Sequence, residues 1–226
     1  MAEVLRCPRC GSRKSWRLSD GRRRCAECRY DWKPGRLPLR LTLRQWRGVL
    51  LWFVRGASSA EIARETGLER KRVLRALMIV RRAILHAASH RARRTIVLKR
   101  TTRAATIGLR MIDGRAWAEV VPDAQADQLG RWLRERKGRV PPALHAYGAV
   151  VYRGRFYRLA QGSGRALFGQ IEAFWAYVQR QLRATGGIRR ERLGLYLAAL
   201  AWRYNHRKLS RDEQVSALLA LLRAPH

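Results

Sequence analysis

The sequence predicts an α+β chain of several domains: a small cysteine-bearing hairpin module, a three-helix module, and a longer domain of strands and helices that closes in helices. Three observations lead there. All four cysteines fall in the first 28 of 226 residues, as Cys7-Pro8-Arg9-Cys10 and Cys25-Ala26-Glu27-Cys28. Between Leu43 and Ile84 the apolar residues recur at helical spacing. After residue 94 the apolar period shortens to that of strands, and beyond residue 165 it becomes helical again.

Two C-x-x-C pairs with 14 residues between them let four thiolates converge on one tetrahedral ion, each pair turning the chain so that both sulfurs face one point. Pro8 and Gly11 suit tight turns, and Trp16-Arg17-Leu18 followed by Asp20-Gly21 reads as a short hairpin. Residues 1–35 are therefore assigned as a zinc ribbon. The expected ion is a single Zn2+ held by Cys7, Cys10, Cys25 and Cys28, structural because four thiolates close its coordination sphere. Two disulfides are the alternative, but they need an oxidising compartment, and the start Met1–Cys10 does not read as a signal peptide. The basic hairpin residues Arg13, Lys14, Arg22, Arg23 and Arg24 are either phosphate contacts or a solvated surface.

Pro34-Gly35-Arg36-Leu37-Pro38 reads as a linker. Beyond it Leu43, Trp46, Leu50, Phe53 and Val54 predict a first helix. Ser58-Ser59-Ala60-Glu61 is a capping box that opens a second, and Thr66-Gly67 ends it. A third helix runs from Glu69, with Val73, Leu77, Val80 and Ile84 as its buried stripe. The order short helix, glycine turn, longer helix resembles a helix-turn-helix, so residues 36–92 are assigned as a DNA-binding module. Arg70, Lys71, Arg72 and Arg75 lie at the start of the third helix, where a recognition helix meets base edges. Arg70, Lys71 and Arg75 are the expected principal contacts. Arg81, Arg82, Arg91, Arg93 and Arg94 are expected at phosphates or in solvent. The bland alternative is a structural three-helix module.

Charge points to the same class of partner. The chain has 49 Lys+Arg against 16 Asp+Glu, a formal charge of +33, which suits a polyanion. Residues 36–100 alone carry 17 basic and 3 acidic side chains, the strongest surplus along the chain. A membrane surface is the rival polyanion, but no apolar stretch approaches the roughly 18 residues of a spanning helix. No Ser/His/Asp or Cys/His constellation suggests covalent catalysis.

In residues 93–226, strands are expected at Thr95–Lys99, Thr106–Ile112 and Ala116–Val121, with Asp113-Gly114 as the hairpin turn. A helix over about 124–137, a strand over about 143–152 and a strand at Arg155–Leu159 follow. Helices at 166–184, 190–205 and 211–223 finish the chain, the first with Leu167, Ile171, Phe174, Val178 and Leu182 as its core stripe.

Gly169-Gln170-Ile171-Glu172-Ala173-Phe174-Trp175 and Trp202-Arg203-Tyr204-Asn205-His206-Arg207 carry a family resemblance. They are similar to the N-G-x-E-S-F-W helix and the W-R-x-N-H-R helix end of ISXO-type insertion-sequence transposases. That resemblance implies a zinc ribbon, a helix-turn-helix and a DDE domain of RNase H-like α/β fold over residues 93–226. It also implies multimers acting on paired DNA ends, hence a homodimer. Phosphoryl transfer on such a domain needs two divalent ions held by three carboxylates. Arg94–Arg100, where the family places its first Asp, has no carboxylate, and Tyr147 stands where the second belongs. Glu172 alone matches the third. Tyr147 and Glu172 are thus expected as remnants of a degenerate site, with no catalytic Mg2+.

The resulting expectation is a double-stranded-DNA-binding protein of transposase ancestry, not an enzyme, associated with the cytoplasmic nucleoid. It would act as a domesticated regulator, an architectural factor or a mobile-element accessory, its third domain free to hold DNA or a protein partner. Two rivals stay open: an active DDE transposase, and a basic RNA- or protein-interaction module.

Overall fold

The computed structural model describes residues 7, 10, 12–33, 37–91, 105–135, 139–159, 165–185 and 187–223. They group into two compact units, Met1–Thr95 with His206–His226, and Ile96–Asn205.

In the first unit the predicted hairpin forms between β1 (Ser15–Arg17) and β2 (Arg23–Cys25), closed by Gly21 in the left-handed region. A third strand, β3 (Asp31–Trp32), adds to β2. Its signal is too short to see in sequence, and Asp31 secures it by accepting two hydrogen bonds from Arg24, 2.7 and 2.8 Å. Three helices follow. α1 (Leu43–Arg55) opens on a capping box of Thr42 and Gln45 and stops at Gly56, φ 83°. Trp46, Val49, Leu50 and Phe53 are its buried face, and the Trp46 indole N–H donates to the Pro38 carbonyl. Leu43, expected on that face, is exposed because it lies in the first turn. α2 (Ser59–Thr66) opens on the predicted Ser58–Glu61 capping box and ends at Gly67, φ 66°. α3 (Arg70–Arg91) buries Val73, Leu77, Val80 and Ile84, the expected stripe.

The second unit is built on a four-stranded sheet. β4 (Ile107–Ile112) and β5 (Arg115–Val120) form a hairpin over Asp113-Gly114, whose φ values of 48° and 71° match the right-handed strand twist. α4 (Asp123–Glu135) follows. β6 (Ala149–Tyr152) and β7 (Arg155–Arg158) are a second hairpin, turning at Arg153-Gly154. The order is β5-β4-β6-β7. α5 (Arg165–Ala184) and α6 (Leu193–Asn205) pack with Leu109, Ala149 and Val151 on one face. The alternate residues, with Val150 at their centre, pack with Leu129 of α4 and with Tyr147.

Three expectations need correction. An α/β domain wraps helices round a mostly parallel sheet, but every pairing among the described residues is antiparallel, so the architecture is α+β. The strand expected from residue 143 starts only at Ala149, because a 3-10 turn forms at Pro142–Leu144 and the N–H groups of Leu144, His145 and Tyr147 are spent on the carbonyls of Pro141, Pro142 and Leu144 instead of on a neighbouring strand. The last helix, α7 (Arg211–Arg223), does not belong with the second unit as the range 93–226 assumed. It packs on α1 and α3, burying Val215, Leu218, Leu219 and Leu222. The strand expected at Thr95–Lys99 lies outside the described residues.

Candidate zinc centre and nucleic-acid interface

The four cysteine sulfurs lie within 4.8 Å of one another. Across the two pairs, Cys7 lies 3.5 Å from Cys28 and Cys10 3.4 Å from Cys25. A tetrahedral ion with Zn–S bonds of about 2.3 Å sets its sulfurs about 3.8 Å apart, so the cluster fits zinc with small adjustment. Each pair is shaped by backbone hydrogen bonds: Cys7 N–H donates to the Ser12 carbonyl, and Cys25 N–H to the Tyr30 carbonyl. Cys7 and Cys25 are buried, while Cys10 is exposed at the rim. Burial pushes the Cys10 thiol up to about 11. Burial acts on Cys25 too, but the N–H groups of Cys28 and Glu27 and the neighbouring thiols outweigh it, bringing that thiol down to about 7. Four cysteines and no open position make this one structural zinc site.

Around it, the ribbon's basic residues divide. Arg22 is tied to Asp20 and Asp31, Arg24 to Asp31, and Arg23 to the Ser15 hydroxyl and carbonyl. The Arg24 guanidinium holds the Asp31 carboxyl below its usual range. Arg13 and Lys14 stay exposed.

On α3, Arg70, Lys71 and Arg75 are exposed along one side. Arg72 turns inward and donates to the Leu39 carbonyl at 3.1 Å, so it fastens α3 to the segment before α1. Arg81 and Arg82 are half-buried and already have partners in the chain, because the helix there carries its core face on Val80, Ala83 and Ile84. The side chains of Arg91, Arg93 and Arg94 lie outside the described residues. Sequence reasoning missed Leu74, which is 42% exposed among the cations; the stripe at 73, 77, 80 and 84 already implied that it points away from the core.

In the second unit, Tyr147 is 4% exposed and its ring lies flat enough over β4 that a Cβ on Gly108 would overlap it. Glu172 is held by Arg158, through Nε at 3.0 Å and through Nη2. Glu119 lies 3.6 Å from Arg110. Among the described residues, the four cysteines are the one group of three or more side chains able to hold a metal ion. Asn205 has a role that the sequence reading placed only at a helix end. It accepts from Ala116 N–H and donates to Ala116 C=O, both at 2.9 Å, pairing that one residue of the edge strand β5 as a neighbouring backbone would.

A family described as a transposase zinc-ribbon domain, of the IS1595 type, matches residues 2–31. No curated relative and no solved structure matches the chain. The N-terminal segment is thus a transposase-type zinc ribbon, and no helix among the described residues is long and apolar enough to cross a membrane.

Proposed function

We propose that this chain is a double-stranded-DNA-binding protein of transposase descent that does not cleave DNA. Its reader is a helix-turn-helix formed by α2, Gly67 and α3. The observation that carries the reading is a transposase ribbon leading into a helix pair that turns Arg70, Lys71 and Arg75 to solvent. Residues at the start of the second helix of such a pair are those that reach base edges. The net charge of +33 supplies the sequence-independent attraction, since every neutralised phosphate releases counterions. Arg81 and Arg82, being half-buried, are assigned to the packing of α3 rather than to phosphates.

The loss of cleavage rests on the two positions that the ISXO-type resemblance puts at a metal site. A buried tyrosine packed over a strand glycine offers no carboxylate to bridge two ions, and Glu172 is taken up by Arg158. On this reading no catalytic Mg2+ binds and the chain is a regulator, an architectural factor or an accessory on the nucleoid. A homodimer is the assembly the resemblance implies, and the second unit is a surface for DNA or a protein partner.

The test is binding to a random duplex pool followed by selection of preferred sites. Affinity should fall steeply with salt, about −0.9 in log affinity per log salt for each phosphate contact. Arg70→Ala with Arg75→Ala should flatten sequence preference by about 1–3 kcal/mol per lost base contact. Unchanged preference would remove α3 as the reader, and tighter binding to single-stranded RNA would favour an RNA module. Supercoiled duplex with Mg2+ or Mn2+ should show no nicks or joined strands. Metal-dependent cleavage abolished by Glu172→Gln would mean an active transposase.

A further inference from the structure

The ribbon carries a surface feature that neither zinc binding nor the helix pair uses. Of the chain's eight tryptophans, Trp16 on β1 is the one that is exposed, at 41%. Tryptophan is highly buried on average, and an indole left in water is a large flat surface without a neighbour of its own kind. The Arg29 guanidinium lies over that ring, 5.6 Å from its centroid, and Arg29 is itself exposed. In the β1–β2 ladder Trp16 stands opposite Arg24, so the two share one face of the sheet, where Asp31 fixes Arg24.

The backbone at Arg29 argues that this arrangement is kept for its side chain. Arg29 follows the second cysteine of its pair and donates its N–H to the Cys25 carbonyl at 3.2 Å, with φ at 56°. That left-handed conformation is strained for any residue with a Cβ and comes without cost to glycine. The residue that follows the first C-x-x-C pair is Gly11. Strain of this kind persists where the side chain has a use, and the observed place of the Arg29 side chain is over Trp16.

The surroundings define what the pair would hold. Residues 12–33 carry eight basic and three acidic side chains, and two of the acids, Asp20 and Asp31, are already bonded to Arg22 and Arg24. That surplus suits a polyanion. Among the described residues of the ribbon, Trp16 is the one large apolar side chain that is exposed, too narrow a patch for the apolar centre of a protein interface. Bases within a duplex already stack on one another, whereas an unpaired base has a free face for an aromatic ring or a guanidinium.

We propose that Trp16 and Arg29 form a stacking site for an unpaired base of single-stranded DNA, drawn in by the ribbon's surplus positive charge. DNA is the strand chosen because the ribbon is of transposase type. The site is separate from the duplex reading by α3 and does not rest on it.

The test is fluorescence anisotropy on the zinc-loaded full chain with three single-stranded probes of equal length: oligothymidine, a wholly abasic DNA strand and oligouridine. The abasic strand has the same phosphates and no bases, so it isolates stacking from charge. Oligothymidine should bind about tenfold or more tighter than the abasic strand, the worth of one or two stacked bases. Trp16→Ala should erase that gap while leaving duplex affinity and its salt dependence unchanged, which separates this site from the helix-turn-helix. Arg29→Gly should narrow the gap and at the same time raise amide protection in the ribbon, because it relieves the left-handed strain. Equal binding of oligothymidine and the abasic strand would overturn the proposal. So would a gap that survives Trp16→Ala, a gap unaltered by Arg29→Gly, or oligouridine binding far more tightly than oligothymidine. Arg29→Gly keeps the test decisive even if Trp16→Ala unfolds the ribbon.

Discussion

The two sheets of this protein are held together by opposite means. The ribbon sheet has strands of three, three and two residues, and of its side chains only Cys25 is buried. The sheet of the second unit has strands of six, six, four and four residues, with Leu109, Phe174, Val178 and Leu197 closed off from solvent above it. A sheet of the first kind buries too little apolar surface to offset its conformational entropy, so a metal must supply the difference. A sheet of the second kind needs no metal.

The comparison predicts where each unit breaks. Removing zinc with a chelator, or Cys25→Ser, should unfold residues 7–33, a loss comparable to the roughly 10–16 kcal/mol by which structural zinc is bound in finger peptides. Amide protection of β4–β7 should be unchanged, and a matching loss in both sheets would sink the contrast. Next in size is Phe174→Ala, which empties a fully buried ring site and should cost the second unit about 3–5 kcal/mol in denaturant unfolding. Zinc content should not change.

Smaller effects sharpen the picture on the surface. Because Arg24 depresses the folded-state value of Asp31, that carboxylate stabilises the ribbon above its unfolded value of about 3.9 and ceases to as pH falls through the lowered folded value. Acid titration of Asp31→Asn, followed by ribbon amide protection, should lack this step. Smallest is Glu172→Gln, which weakens one half-exposed ion pair and should change stability by no more than about 1 kcal/mol. A drop of several kcal/mol would mean that Glu172 carries far more of the fold than its contact with Arg158 suggests.

Much of the layout is legible in local sequence. The capping box at Ser58 and Glu61, the left-handed Gly67, the stripe Val73, Leu77, Val80 and Ile84, and the turn at Asp113-Gly114 all occur where local rules put them. Each depends on neighbours within four residues. What escaped sequence reasoning is nonlocal. The helical period at Val215, Leu218, Leu219 and Leu222 identifies a helix without saying that it packs on α1 and α3, more than a hundred residues upstream. The inward turn of Arg72, the half-burial of Arg81 and Arg82, and the pairing of Asn205 with Ala116 are hidden for the same reason.

The sequence by itself determined the zinc ligands, because four thiols at C-x-x-C spacing have few other uses in so short a segment. It also determined the helices and the sign of the charge, since periodicity and composition are properties of the chain alone. Only the tertiary structure decided that the second unit's sheet is antiparallel, that Tyr147 rests on Gly108, and that Arg110 is enclosed. Strand pairing and burial depend on which distant surfaces exclude water together, and no local pattern encodes that choice.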